Sequence, residues 1–408
     1  MKPWTKRLFF NIITFILIFN NMAQAKVSSN KEVVSATVIS VPLYGNPKFN
    51  PDELSPQMRV WYNRLWESIA DRKSYIEYNA KSGSLYRMRV VNEYVSALMM
   101  ALRATGDLKF LDEAAAIMDM ARALLKDEWR LPDNAMPGAD KCNGSTDGFL
   151  DWLQLEFYPK SGYNVNYPYF CTDEDPMDEA MTHGGVAAIT YAFYLNKHLN
   201  PKYQQQADFW LNYLQNHFMG KWAVRKGSLS EAWSGIEKRF THPISNLARI
   251  AYYLYKMTGK EIYLQKANYY TDMLVKHVQT NTAKPQAFVW KHNVWGNDEG
   301  YQKINYAEYF MTMVMEMSLE KFGDYYPDKD MEKYAATFRD VVFAVGAPNY
   351  TSMAARVDGS GTDGMEIYNL SGFARWDKSG TILQIADKTY MPGAFMNAAY
   401  ALMALSPR

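Results

Sequence analysis

An all-α fold, arranged as an (α/α) toroid of about six to seven helical hairpins with long inner loops, is what this sequence predicts. Three observations lead there. An apolar helix, a tight turn and an amphipathic helix recur along the chain. The units lie roughly 60 to 95 residues apart, farther than in ordinary solenoids, and the excess is loop. The last helix, Ala394 to Leu405, is nearly all apolar and is placed to close a ring.

The repeat is read from helical spacing and turn residues. A first helix over Pro56 to Asp71 sets Val60, Trp61, Leu65 and Ile69 at helical intervals. Tyr94 to Arg103 ends at Gly106, and the next helix opens on Phe110 and Ala114. Ala188 to His198 leads to Tyr203 and Ala207, and Ile250 to Met257 ends at Gly259 before Tyr263 and Ala267. Tyr309 to Phe322 ends at Gly323, followed by a helix around Tyr334 to Val342. Such hairpins bury their apolar faces only by stacking, with the more apolar helix inside. Three insertions interrupt them: Trp129 to Pro176, Trp222 to Thr241 and Ala347 to Lys378. Long ordered loops in a compact domain are usually functional.

The N-terminus reads as a secretory signal. Lys2, Lys6 and Arg7 precede an apolar run from Leu8 to Phe19, and Ala23-Gln24-Ala25 is a small-x-small cleavage site. The expected organisation is a signal peptide over 1–25, cleaved after Ala25, and a single toroid domain over 26–408, periplasmic or secreted and monomeric. Residues 26 to 56 read as an extended lead-in, strand-like at Val33 to Ile39. The apolar run is too short to span a bilayer, no later stretch is long and apolar enough for a membrane helix, and no lipoprotein cysteine follows the run. Removing the signal's three basic residues from 44 Lys+Arg leaves 41 against 43 Asp+Glu, which is not a nucleic-acid binder's balance. The two cysteines, Cys142 and Cys171, share one loop, and an oxidising compartment predicts a disulfide between them.

No phosphate loop, dinucleotide fingerprint, zincin motif, nucleophile elbow or zinc spacing is present. No cofactor and no metal are expected. Gly359 to Gly364 is glycine-rich, but no helix pattern follows it, and it reads as a turn. Candidate chemistry gathers where loops enter helices. The stretch from Trp290 to Phe310 concentrates Trp290, His292, Asn293, Trp295, Tyr301 and Tyr306. The pattern becomes helical from Ile304; Asn305 is a good capping residue, which would put Tyr306 at the first helical position, and a start a few residues earlier is equally open. His183 and His242 each open an inner helix, whereas His198, His217 and His277 read as plain helix-end residues. A toroid would bring His183, His242 and His292 to one groove. Against each stands the ordinary alternative of a core or capping histidine, and Tyr306 is one of 30 tyrosines.

Tyr, His, Asn and Arg together suit β-elimination on a uronic-acid polysaccharide. The C5 proton is poorly acidic while the adjacent carboxylate is charged, so donors must neutralise it. A tyrosine can then take the C5 proton and return a proton to O4 when both lie on one face, as in mannuronate. Guluronate, the C5 epimer, calls for a separate base, a histidine.

The T-H-G-G run at Thr182 to Gly185, the T-H-P-I-S-N-L-A-R run at Thr241 to Arg249, and H-N-V-W-G followed by N-Y-A-E-Y resemble polysaccharide lyase family 38 over most of the mature chain. That family contains alginate and glucuronan lyases with toroid folds. The resemblance implies Tyr306 as base and acid, with His242 as its partner. It implies His292, Asn293 and Arg249 as carboxylate neutralisers, Arg239 as a carboxylate contact, and Trp233, Trp290 and Trp295 as stacking residues. His183 and Tyr301 complete the expected substrate contacts. The expected partner is an anionic polysaccharide. Two other classes stay open: a toroidal glycoside hydrolase using two of Asp178, Glu179, Glu231, Glu237, Asp298 and Glu299, and a non-catalytic glycan-binding protein.

Overall fold

Local signals set the helices. In this computed structural model, which describes residues 43–130, 145–152, 154–156, 170–172, 176–221, 240–294 and 300–407, the chain is predominantly helical. Helix α1 (Pro56–Ala80) starts where Ser55 accepts from the Met58 amide and Pro56 takes the first turn. It runs nine residues past the predicted end at Asp71, since no Gly or Pro occurs before Gly83 and the polar run after Ala70 is simply its solvated face. The expected hairpins follow. Helix α2 (Leu85–Thr105) stops at Gly106, whose φ of 74° is left-handed, and α3 (Leu108–Arg122) starts on an Asp107 cap. Helices α4 (Pro176–Asn196) and α5 (Pro201–Tyr213) are joined through the Asn200 cap. Helix α6 (Thr241–Thr258) turns at Gly259 into α7 (Glu261–Lys276). Helix α8 (Ile304–Leu319) leads to α9 (Asp328–Ala336), and α10 (Thr381–Lys388) and α11 (Phe395–Leu405) complete the set.

The first helix of a pair is the deeper one. Burial runs round α6 and α8, whereas α7 buries only Tyr263, Ala267, Tyr270, Thr271 and Leu274. Packing passes from α2 to α4, α6 and α8, then to the 3-10 helix Tyr368–Arg375, to α11, and back to α2. Helices α3, α5 and α7 back α2, α4 and α6, and α1 covers α2 and α11. The Ala347 to Lys378 insertion therefore supplies one of the inner elements through its 3-10 helix. Its glycine-rich part turns through left-handed Gly359 and Gly361 into a short strand, Asp363–Gly364.

Close approach between inner helices explains Gly184 and Gly185. A Cβ on Gly184 would strike Asn246 and Arg249 of α6, and one on Gly185 would strike Asn92 of α2. The Gly185 amide donates to the Asn92 side chain at that crossing. Further along the same helices, Arg249 is clamped to Glu316 of α8 by bonds of 2.8 and 2.6 Å, and Tyr253 donates to Glu316 at 3.0 Å.

Strands β1 (Lys126–Arg130) and β2 (Ser145–Asp151) form one antiparallel pair. Strands β3 (Gln154–Glu156) and β4 (Phe170–Thr172) form another. Both belong to the first insertion. Its base is tied down by Lys221, which bridges Asp151 at 2.6 Å and Glu179 at 2.9 Å with all three side chains fully buried. Burial opposes the Asp151 charge, but Lys221 outweighs it and holds the carboxyl below its usual range. Cys142 lies outside the described residues, and of Cys171 only the backbone pairing with Leu155 is described. The predicted signal over 1–25 and the strand at Val33 to Ile39 also lie outside them. Ser40–Arg408 is one compact unit, and no helix among the described residues is long and apolar enough to cross a membrane.

Candidate functional site

The central stretch is held by backbone pairing. Strands β5 (Val278–Thr280) and β6 (Phe288–Trp290) form a hairpin, and Lys291 then bridges Tyr301. The Thr241 amide donates to the His292 carbonyl at 3.0 Å, and the Thr241 hydroxyl donates to the Lys291 carbonyl at 2.9 Å. The start of α6 is thereby pinned to this stretch. The Gln302 amide donates to the Trp290 carbonyl at 3.1 Å, which leads the chain directly into α8. That helix begins at Ile304 after Lys303, so Tyr306 is its third residue rather than its first, and Asn305 is an exposed first-turn residue rather than the cap.

Three rings predicted to act together meet here. His242 stacks on Tyr306 with centroids 4.5 Å apart and planes 23° from parallel. His292 lies 5.4 Å from His242 and 5.8 Å from Tyr306. Phe240 packs against both histidines. The Gln302 amide group bonds His292 Nδ1 at 2.9 Å. Tyr306 is half-buried, and its hydroxyl has no hydrogen bond among the described residues.

His242 is the unusual member. It is 2 % exposed, yet neither ring nitrogen has a hydrogen-bond partner among the described residues. Native proteins leave few buried polar groups unsatisfied, because each forfeits its bonds to water. Burial, then the neighbouring His292 and Arg89, push its pKa well below the ordinary 6.5, so the ring is neutral at physiological pH.

A second group adjoins this one and is not legible in the sequence. Arg89 and Glu93 are one turn apart on α2, and Tyr309 and Glu308 come from α8. Arg89 pairs with Asp178 at 3.1 Å, and the Tyr309 hydroxyl donates to Glu93 at 2.8 Å. Glu308 is 7 % exposed, and one of its carboxylate oxygens has no partner among the described residues. Burial first, then repulsion from Glu93, hold the Glu308 carboxyl well above the usual carboxylate range. Burial also raises Glu93, against the opposing pull of Tyr309 and Arg89. The available signal is a charged pair spaced by four on a helix that is apolar over most of its later turns.

Other expected contacts are placed elsewhere. His183 is fully buried, bonded to the Glu179 carbonyl at 2.7 Å and to the Tyr213 hydroxyl at 2.8 Å, so it belongs to the Asp151 network and is not one of the rings that meet at His242. Arg249 is spent on Glu316, two turns below His242. Trp290 is 1 % exposed and packs on Phe310, Tyr334 and Phe338, so it is core rather than a sugar platform. Tyr301 is half-buried with Lys291 over its ring at 4.3 Å. Asn293 is buried beside His292. Trp233, Arg239 and Trp295, with Glu231, Glu237, Asp298 and Glu299, lie outside the described residues.

The depressed values of His242 and His183 set a pH dependence for stability. The unfolded chain takes up protons near pH 6.5, whereas the folded histidines resist, so protonation favours unfolding. Their contribution is complete above 6.5 and is lost as pH falls through the folded values. Glu93 and Glu308, being raised, act in the opposite sense. We therefore expect wild type to lose stability relative to His242→Phe as pH is lowered from about 8 to about 5 in urea titrations, the range that brackets the ordinary histidine value. Parallel curves for the two proteins would refute the assignment.

No protein-family model, curated protein or solved structure matches this chain.

Proposed function

We propose that the protein is a polysaccharide lyase that cleaves a polyuronate by β-elimination, alginate rich in mannuronate or a glucuronan, and that its cycle of packed helices is an (α/α) toroid. The observation that carries the reading is His242, buried with both nitrogens bare among the described residues and stacked on Tyr306, whose hydroxyl is likewise unbonded among them. A neutral base and a phenol held together beside the Arg89 guanidinium suit proton abstraction next to an anionic group. The resemblance to polysaccharide lyase family 38 at these same runs supports it.

In this reading the uronate carboxylate is neutralised by Arg89, with His292 and Asn293 as further donors. Tyr306 enters the step as the phenolate: its oxygen takes the C5 proton and becomes the hydroxyl, and the C5–H electron pair forms the C4=C5 double bond. The C4–O4 bond breaks with its electron pair on O4, which receives that proton from the Tyr306 hydroxyl and so restores the phenolate. His242 serves as base when C5 has the opposite configuration. The test is to incubate the purified protein with polymannuronate, polyguluronate and polyglucuronate and to follow the ultraviolet absorbance of the new double bond. A rise is expected with at least one polymer. New reducing ends without absorbance would refute elimination.

The Glu93 and Glu308 pair favours a second reading, a toroidal glycoside hydrolase. Glu308 held protonated would be the general acid, with Glu93 as its partner carboxylate. Reducing ends without absorbance, abolished by Glu308→Gln, would select it.

A further inference from the structure

Exposed aromatic side chains scattered singly are ordinary, but the α1–α2 turn gathers several. Tyr75 and Tyr78 stand one helical turn apart near the end of α1, 50 % and 58 % exposed, and Tyr86 in the first turn of α2 is 52 % exposed. Two of them carry a guanidinium against the ring face. Arg87 reaches back from α2 to lie 4.7 Å from the Tyr78 centroid, and Arg89 lies 5.2 Å from that of Tyr86. Among the described residues Arg87 has no carboxylate partner, and the nearby Glu77 is bridged by Lys81 at 3.0 Å. Arg87 therefore brings the strip a positive charge that no carboxylate among the described residues pairs with.

The strip leads into the site. Arg89 holds Tyr86 on one side and Asp178 on the other, and its charge is felt at His242. Tyr86 and Arg87 are adjacent in sequence, so the two ring–cation pairs both sit at the start of α2. Flat exposed rings offer a face to the C–H side of a pyranose, and a guanidinium beside each ring pairs with a carboxylate in a planar, two-bond geometry. A neutral sugar needs only the rings and a phosphate only the cations, whereas a uronate residue uses both.

We propose that Tyr78, Tyr86 and Arg87 form a subsite for the polyuronate chain outside the reacting pocket, which binds sugar units remote from the bond that is cleaved. The inference rests on the polyuronate reading for the nature of the sugar, but not on elimination. Arg89 is shared, and joins the subsite to the pocket.

Affinity electrophoresis of the full chain in gels containing polymannuronate or polyglucuronate, with neutral mannan as control, tests it. The wild type is expected to be retarded by at least one polyuronate and not by mannan. The Tyr86→Ala/Arg87→Ala double variant is expected to bind that polymer about tenfold more weakly, with unchanged thermal unfolding, since both side chains reach solvent. Its affinity for the uronate disaccharide is expected to fall less than that for the polymer, because a short ligand occupies the pocket alone. Arg87→Lys, which keeps charge but not the planar fork, should lose only part of that affinity. Equal polymer binding by wild type and double variant would overturn the subsite while leaving elimination standing. Retardation without any double-bond formation, lost in the double variant, would sink elimination and uphold the subsite. A wild type retarded by no polyuronate would overturn it as well.

Discussion

Tyr306→Phe is expected to lower the rate of double-bond formation by about a thousandfold or more, within the range for loss of a general acid–base group, with the fold intact. The substitution removes one oxygen from a half-buried ring and leaves its stacking on His242 in place. Among the described residues the hydroxyl makes no bond whose loss would unsettle the helix. Polymer binding should therefore persist while turnover disappears, so the fall belongs to kcat rather than KM. The check is the ultraviolet assay alongside circular dichroism. A variant retaining a tenth or more of wild-type turnover would remove Tyr306 from the chemistry and direct attention to His242 and Glu308.

Arg249→Met is expected to cost about 3–5 kcal/mol of stability, the usual penalty for stranding one member of a buried ion pair. The Arg249 side chain is 1 % exposed and that of Glu316 is fully buried, so no bulk water reaches the carboxylate once its partner is gone. Tyr253 would remain as a donor to Glu316 but brings no charge. Replacing both partners, as Arg249→Met/Glu316→Leu, should destabilise less than the single change, because no bare charge is left inside. Urea unfolding measures both. A single variant costing less than about 1 kcal/mol would show the pair to be dispensable.

The hairpins of α2, α4 and α6 are legible because punctuating residues follow each of those helices, whereas α8 stops at Leu319, short of the expected Gly323. Gly106 and Gly259 take left-handed conformations that other residues avoid, and Asn200-Pro201 caps the next helix. Where punctuation is missing, the sequence misleads: α1 continues past Asp71 because charged residues on a solvated face do not end a helix. The 3-10 helix at Tyr368–Arg375 reads as loop in the sequence, since eight residues with a glycine show no sustained period.

At the site, rarity is the useful signal. A histidine opening an apolar inner helix stands out, as His242 does, and so does His292 in its aromatic loop. The same signal misplaces His183 and Arg249, because a polar group in an apolar helix marks an ion network as readily as a groove. For Trp290, a loop residue has no periodicity to say which way it faces, and tertiary packing turns it inward. Arg89 and Glu93 are hidden inside a helix whose bulk character is apolar, and their meaning depends on α8, 216 positions later for the Glu93–Tyr309 bond.

His242 also bears on how the sequence is maintained. An imidazole shut away from water, with no partner for either nitrogen among the described residues, is expected to leave the folded protein less stable than a phenylalanine there would. Drift under selection for folding alone would erase it, because substitutions that fill such a place with carbon are easy to find. On the lyase reading, the stability given up at this one position is what keeps a neutral nitrogen ready beside the Tyr306 ring.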